Sequence, residues 1–193
     1  MGSFSPNWPE HDSGGWRKAP PPAFFVRHGC GYDCRMKTIL VVCTGNICRS
    51  PMAAAILRSR IAALGLSGEL QVLSAGVHAE VGWQASRFAV TVLNERGIAL
   101  AGHESQPLTV ELLNQADLVL VMEEAHRQSI FYLAPQHLAK VFLLSEMAGR
   151  HSDVRDPYGG THGEYVETVE LLEKYIDKGL PAILKRLGLA APH

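Results

Sequence analysis

An apolar run that leads directly into a small polar loop decides the fold, and it reads Thr38-Ile39-Leu40-Val41-Val42-Cys43-Thr44-Gly45-Asn46-Ile47-Cys48-Arg49-Ser50-Pro51. The apolar half is typical of a buried parallel strand, and the Ser-Pro pair is typical of a helix start. A loop between a strand and a helix turns backbone N–H groups inward and directs the helix N-terminus at its centre. Those groups favour an anion, and the nearest candidate is the thiolate of Cys43.

Several side chains of this loop suit phosphate binding. Gly45 lets the chain turn at little steric cost, and Asn46 tolerates a left-handed conformation. The guanidinium of Arg49 is a planar fork that can bind two phosphate oxygens together. Ser50 can hydrogen-bond the sulfur of Cys43 and help it leave when an intermediate breaks down. The pattern predicts a cysteine nucleophile for phosphate chemistry, and a buried strand-end cysteine without chemistry is the alternative.

The bulk composition is that of an ordinary globular chain and narrows the classes of partner. The 193 residues suffice for one domain with a full core. The net charge is −1 and no block of like charges occurs, so we expect neither nucleic acid nor a membrane surface as partner. Only four cysteines are present and the start of the chain does not resemble a secretory signal, which favours a reducing, cytoplasmic setting.

Residues 1–36 differ from the rest of the chain. They contain the run Pro20-Pro21-Pro22, several glycines and no apolar periodicity. We therefore expect a disordered N-terminal extension over residues 1–36 and a folded domain over residues 37–193. Met36, directly before the first strand, is a candidate for the true translation start. An extension that docks a partner through its tryptophans and prolines is the alternative.

Strand and helix patterns alternate after residue 37. Short apolar runs predict strands over residues 38–43, 70–74, 118–122 and 141–144. Apolar spacings of three and four, with their start and stop signals, predict helices over residues 51–64, 88–96, 108–115, 125–133 and 165–187. Gly179 and Pro181 are expected to bend or interrupt the last of these helices. Strands separated by helices favour a single α/β domain with a parallel sheet covered on both faces.

The loop and several downstream segments resemble the low-molecular-weight protein tyrosine phosphatases. The segments that carry the resemblance are residues 42–53, 74–76, 116–122 and 156–158, within a likeness that spans roughly residues 37–188. The resemblance implies a central four-stranded parallel sheet flanked by helices, with the phosphate loop (residues 43–49) after the first strand. It also implies a two-step phosphate transfer that uses no metal and no cofactor.

The resemblance assigns catalytic roles to three residues. Cys43 attacks phosphorus and forms a cysteinyl-phosphate intermediate, while Arg49 clamps the phosphate oxygens. Asp156 protonates the leaving phenolate and then activates water, although an Asp-Pro pair alone is more typical of a turn. The loop around Asp156 is rich in turn residues and could swing over the site. The resemblance also implies that phosphate is bound by Thr44, Gly45, Asn46, Ile47, Cys48 and Ser50.

The same likeness suggests support around the phosphate loop. Asn46, Ser74 and His103 resemble a family hydrogen-bond network that holds this loop in its left-handed conformation. For His103, a partly exposed loop histidine is the alternative. Cys48 resembles a family partner that forms a reversible disulfide with Cys43 under oxidation, and a packing cysteine is the alternative.

The expected substrate is phosphotyrosine in proteins, a tyrosine kinase among them. Tyr158 resembles a family aromatic residue beside the cleft, where it can stack on the substrate ring, and Trp83 either forms the opposite wall or packs elsewhere.

Family members that act on phosphoarginine look similar but tend to carry threonine at the position of Ile47, whose apolar side chain favours an aromatic ester. A non-catalytic phosphate-binding module is a further alternative. Thioredoxin-coupled arsenate reduction needs cysteines after Cys48, and none follows.

The chain departs from the common family pattern at two places. Ala54 stands where many members have glutamate, and Ala85-Ser86-Arg87 stands where many bacterial members have Ala-Asp-Pro. Neither departure involves the sulfur, the guanidinium or the acid, so both concern substrate binding and partner choice. The sequence gives no indication of an oligomeric state.

Overall fold

The structure, a computed structural model, describes residues 35–100 and 102–189. The predicted N-terminal extension therefore lies outside the described residues, except for its last two positions. Four parallel strands form one sheet in the order β2-β1-β3-β4. The strands are β1 (Lys37–Cys43), β2 (Leu70–Gly76), β3 (Leu118–Val121) and β4 (Val141–Leu143). The predicted α/β class with a four-stranded parallel sheet is confirmed.

Six α-helices accompany the sheet within the described residues. They are α1 (Arg49–Ala63), α2 (Arg87–Asn94), α3 (Val110–Gln115), α4 (Glu124–Leu133), α5 (Leu144–Met147) and α6 (His162–Arg186), with a 3-10 segment over Pro135–Lys140. Across residues 35–100 and 102–189, no helix combines the length and the hydropathy needed to cross a bilayer.

Both faces of the central strand β1 are buried. Successive side chains of a strand point to opposite faces, so Ile39 and Val41 pack with α1, α2 and α6 on one side. Leu40 and Val42 pack on the other side, against residues of α3 and α4. All four side chains are fully buried, which explains why this stretch reads as a continuous apolar run instead of an alternating one.

The predicted element boundaries lie within two residues of the observed ones, apart from the start of the last helix, which is predicted at residue 165 and observed at His162. The helix predicted from residue 108 begins at Val110, because the hydroxyl of Thr109 accepts a hydrogen bond from the N–H of Leu112 and caps the helix there. The first helix begins earlier than predicted, so Arg49 and Ser50 belong to its first turn. The 3-10 segment and the short helix α5 were not predicted.

The expected interruption of the last helix at Gly179 and Pro181 does not occur. Helix α6 runs without a break from His162 to Arg186 with Pro181 inside it, and its buried stripe continues beyond the proline to Ile183. Gly179 has a packing role instead. A Cβ at Gly179 would lie 2.7 Å from the Cβ of Met147, so the glycine allows close contact between α6 and α5.

Candidate active site

A small pocket lies at the carboxyl end of β1, where open α/β sheets bind their ligands. Its volume is about 230 Å³, and its lining residues are Cys43, Thr44, Gly45, Ile47, Cys48, Trp83, Asp156 and Tyr158. The structure thus brings the predicted nucleophile, the predicted acid and both aromatic wall candidates together. This space is called the catalytic pocket below.

One group of the phosphate loop and one group of the first turn of α1 contact the sulfur of Cys43. The hydroxyl of Ser50 lies 3.0 Å from Sγ, and the N–H of Asn46 donates to Sγ across 3.3 Å. Both can donate to a thiolate, and α1 begins beside it with its N-terminus, where anions are favoured. The side chain of Cys43 is only 2% exposed, so a reacting atom must enter the pocket to reach it.

Asn46 holds the phosphate loop in its turn. It is the one non-glycine residue of the described chain with a positive φ, 54°. Its side-chain Nδ2 donates to the hydroxyls of Ser50 and Ser74 at 2.8 and 3.0 Å, and its Oδ1 accepts from the N–H of Gln106 at 3.0 Å. Its carbonyl accepts from Nε2 of His103 at 2.7 Å. The contacts on all sides offset the cost of the left-handed conformation.

The glycine that the loop requires is Gly76, at the end of β2. A Cβ there would lie 2.5 Å from the carbonyl oxygen of Thr44 and 2.9 Å from the nitrogen of Asn46. Gly45, the expected turn glycine, is not among the residues with positive φ, and a Cβ there would meet Ile47 at an ordinary 3.6 Å. The sequence shows a glycine at position 76, near the end of the second predicted strand. It does not show that the phosphate loop packs against this glycine.

Arg49 is 1% exposed, and both terminal nitrogens of its guanidinium have hydrogen-bond partners. Nη1 donates to the carbonyl of Val154 at 2.9 Å and pairs with Glu123. Nη2 donates to the hydroxyl of Thr44 at 3.0 Å and to Oδ2 of Asp156 at 2.5 Å. Nε is buried without a hydrogen-bond partner in the described chain, so Nε and Nη2 form the edge that is open to a phosphate, and the Asp156 carboxylate occupies the Nη2 half of that edge.

Glu123 and His126 were missed by the sequence reasoning. Nδ1 of His126 accepts from the N–H of Glu123 at 3.1 Å, so Nε2 carries the ring proton and donates to the hydroxyl of Thr44 at 3.0 Å. Burial and the nearby Arg49 guanidinium lower the pKa of His126 to about 4, which keeps the ring neutral near pH 7. In the sequence, Glu123 and His126 resemble the polar residues of any helix that begins after a strand. No sequence signal connects them with Arg49.

The loop with Asp156 and the turn with Trp83 flank the mouth of the pocket. Oδ1 of Asp156 accepts from the N–H of Tyr158 at 3.2 Å, and the Asp156 side chain is 39% exposed. The N–H of Trp83 donates to the hydroxyl of Ser105 at 2.9 Å. Trp83 and Tyr158 are 54% and 64% exposed, so Trp83 lines the pocket and is not a core residue.

Cys48 is buried, and its sulfur lies 3.2 Å from the hydroxyl of Tyr165. Burial raises the pKa of the Cys48 thiol. Cys43 and Cys48 are both free thiols in this structure, so the reversible disulfide between them stays a prediction. Within the described residues, no group of three or more His, Cys, Asp or Glu side chains is placed to hold a metal ion.

The two departures from the family pattern have simple structural settings. Ala54 is fully buried in α1, among the residues that cover the sheet. The hydroxyl of Ser86 accepts from the N–H of Ala89 and caps α2, a role for which serine and aspartate are similarly suited.

Comparison with known proteins places this geometry in a family. The sequence matches the low molecular weight phosphotyrosine protein phosphatase family over residues 38–188. It is 42% identical over 148 residues to the probable low molecular weight protein-tyrosine-phosphatase EpsP of Ralstonia nicotianae, covering 77% of this chain and 97% of the relative. It is 45% identical over 139 residues to a protein-arginine-phosphatase of Bacillus subtilis, and the match covers 72% of this chain and 91% of the relative. A solved structure of the YwlE arginine phosphatase, a mutant with a phosphorylated active site serine, aligns with a TM-score of 0.72 and 44% identity, covering 77% of this chain and 95% of that one.

These matches define a protein phosphatase, a hydrolase whose substrates are phosphoproteins. The chain belongs to the low molecular weight phosphotyrosine protein phosphatase family. The resemblance read from the phosphate loop is therefore confirmed. Both tyrosine and arginine phosphatases occur among the relatives at similar identity, so identity alone does not select the substrate.

Proposed function

We propose that this phosphatase hydrolyses phosphotyrosine in proteins through a cysteinyl-phosphate intermediate on Cys43. The observation that carries the choice of substrate is the wall of the catalytic pocket, which combines Ile47 with the aromatic side chains of Trp83 and Tyr158. This wall suits the flat ring of a phenyl ester, on which aromatic side chains can stack, and Ile47 adds no hydrogen-bond acceptor for the N–H groups of a guanidine.

Binding of the phosphate begins with an exchange of partners at Arg49. In the free site, Nη2 is shared between the hydroxyl of Thr44 and the carboxylate of Asp156. A phosphate dianion offers two or more charged oxygens and is held as well by the N–H groups of the phosphate loop, so it displaces the carboxylate. Asp156 is then released at the mouth of the pocket, on the side where the phenolic oxygen leaves.

The chemistry follows in two balanced steps. Once it has left Arg49, the Asp156 carboxylate takes up one proton from solvent. The thiolate of Cys43 then attacks phosphorus as the bond to the phenolic oxygen breaks, and Asp156 gives that proton to the oxygen. In the second step, Asp156 takes a proton from water while the water oxygen attacks phosphorus. Cys43 then leaves as a thiolate, to which Ser50 donates from 3.0 Å. Arg49 and the loop N–H groups stabilise the equatorial oxygens in both steps.

The partner and setting follow from the same proposal. The proposed substrates are phosphotyrosine-containing proteins, a tyrosine kinase among them, as the family likeness suggests. A reducing, cytoplasmic compartment suits the mechanism, since Cys43 must remain a free thiol to react.

The substrate preference can be tested with one peptide prepared in phosphotyrosine and phosphoarginine forms. For the wild-type protein, we expect kcat/KM to favour phosphotyrosine by at least about tenfold, which corresponds to roughly 1.4 kcal/mol. The variant Ile47→Thr should shift the ratio towards phosphoarginine by about tenfold, because its hydroxyl can accept one hydrogen bond from the guanidine. Initial rates of phosphate release from both peptides measure the ratio.

The matched control is Ile47→Val, which keeps a branched apolar side chain of nearly the same shape as threonine. It should retain the wild-type ratio within about twofold, because it adds no polar group. A wild-type enzyme that prefers phosphoarginine would assign the chain to the arginine phosphatases instead.

The acid role of Asp156 predicts a loss that depends on the leaving group. In Asp156→Asn we expect kcat for phenyl phosphate to fall by about 10²–10⁴-fold with little change in KM, since substrate binding uses other groups. For p-nitrophenyl phosphate the loss should be smaller, because its leaving group needs less protonation. Asp153→Asn is the control from the same loop, since Asp153 accepts from the N–H of Glu124 and does not line the pocket. Equal losses for both substrates would remove Asp156 from proton transfer.

A further inference from the structure

A second cavity lies between the segment that follows α5 and the middle of α6. Its volume is about 360 Å³, and it is lined mainly by Arg150, His151, Ser152, Lys174, Tyr175 and Lys178. It shares no lining residue with the catalytic pocket. Its volume falls at the lower end of the range for small-molecule sites. We call it the cationic cavity.

Three cations line this cavity without a carboxylate partner in the described part of the chain. They are Arg150, Lys174 and Lys178. The two lysines are one helical turn apart on α6, so they face the same side and repel each other. The protein as a whole carries a net charge of −1, so a general excess of basic residues does not explain the cluster.

The carboxylates nearest to these lysines along α6 are held by another cation. Glu173 lies 3.5 Å and Asp177 2.7 Å from the guanidinium of Arg60 on α1. Glu146, on α5, pairs with Arg127 and also approaches the histidine of the cavity at 3.4 Å. The lysines are thus left to interact with solvent or with a ligand.

Two hydroxyls complete the wall and are fixed in place. The hydroxyl of Ser152 lies 2.8 Å from that of Tyr175, and the N–H of Ser152 donates to the hydroxyl of Ser145 at 3.1 Å. Only one of the two hydroxyl hydrogens is used between Ser152 and Tyr175. The other is free to donate, so the cavity offers cations and a hydroxyl donor to whatever enters it.

We propose that the cationic cavity binds a small polyanion with linked phosphate groups, either inorganic polyphosphate or the phosphate chain of a nucleotide. Two lysines and an arginine around one small space neutralise several charges at once, and phosphate oxygens accept from all of the donors that line it. The site is separate from the catalytic pocket, because the two have no lining residue in common.

The test is a calorimetric titration of the full chain with inorganic tripolyphosphate while saturating vanadate occupies the catalytic pocket. We expect saturable binding of one tripolyphosphate per chain. Lys174→Gln and Lys178→Gln should each weaken it at least about fivefold, because each removes one charged donor. Lys185→Gln, which removes the same charge from the same helix outside the cavity, should change the affinity less than twofold.

A second arm replaces tripolyphosphate with ATP. Equal affinity for the two assigns the site to the polyphosphate chain, and tighter binding of ATP assigns it to a nucleotide. Melting curves of all variants should match that of the wild-type protein, because the three lysines are exposed. The proposal is overturned if neither anion binds, or if Lys185→Gln weakens binding as much as the two cavity variants do.

Discussion

The variant Cys43→Ser is expected to abolish phosphatase activity, with kcat at least about 10⁴-fold below that of the wild-type protein. The sulfur lies under the N–H of Asn46 and beside the hydroxyl of Ser50, where donors can hold an anion. A serine hydroxyl at this position stays protonated near neutral pH. Among the described side chains, only the hydroxyl of Ser50 lies within hydrogen-bond distance of this atom, and a hydroxyl is too weak a base to take the proton. The measurement is the release of p-nitrophenol in reducing buffer, with the melting temperature as evidence of folding.

The matched control for this prediction is Cys48→Ser, five residues along the same loop. Cys48 is also buried, but its sulfur contacts the hydroxyl of Tyr165 rather than the donors around Cys43. This variant should keep at least about a tenth of the wild-type rate, because its side chain does not attack phosphorus. If Cys43→Ser turns over substrate as fast as Cys48→Ser, the cysteinyl-phosphate mechanism is wrong.

The sequence predicted the layered fold because its signals are local. The run around Val41 has apolar side chains on both faces, which is what a central parallel strand requires. The last helix was harder to predict from the sequence, since Pro181 is a strong local signal for a break in a helix. The buried contacts of Ile176 and Ile183 on either side keep the helix intact, and such tertiary contacts cannot be read from a local pattern.

In the candidate site, too, the sequence predicted the residues that lie close together along the chain better than the contacts between distant residues. Cys43 and Arg49 lie in one short loop, so the sequence places them together. Asp156 was found only through the family resemblance, because its contact with Arg49 spans 107 positions of the chain. Glu123 and His126 had neither kind of signal, since charged residues after a strand are usual at a helix start. Their role depends on how the end of β3 meets the end of β1, which only the folded chain shows.

The variant Arg49→Lys is expected to lower kcat/KM by roughly 10²–10⁴-fold. The guanidinium presents two N–H edges, and hydrogen bonds to charged groups each contribute about 1.5–3 kcal/mol. A lysine ammonium keeps the charge but is a single point with flexible donors, so it cannot bridge two phosphate oxygens in a fixed plane. The measurement is kcat/KM for a phosphotyrosine peptide, together with the affinity for inorganic phosphate as a competitive inhibitor.

Arg58→Lys is the control that separates loss of the planar fork from any general effect of the same exchange. Arg58 lies on the same helix, and its guanidinium donates from Nε and Nη2 to the carbonyl of Val72 at 3.1 and 2.9 Å, outside the catalytic pocket. This variant should retain the wild-type rate within about twofold. The argument for Arg49 fails if its lysine variant binds phosphate and turns over the peptide like Arg58→Lys. In that case, positive charge alone would suffice, and the bidentate geometry would have no part in catalysis.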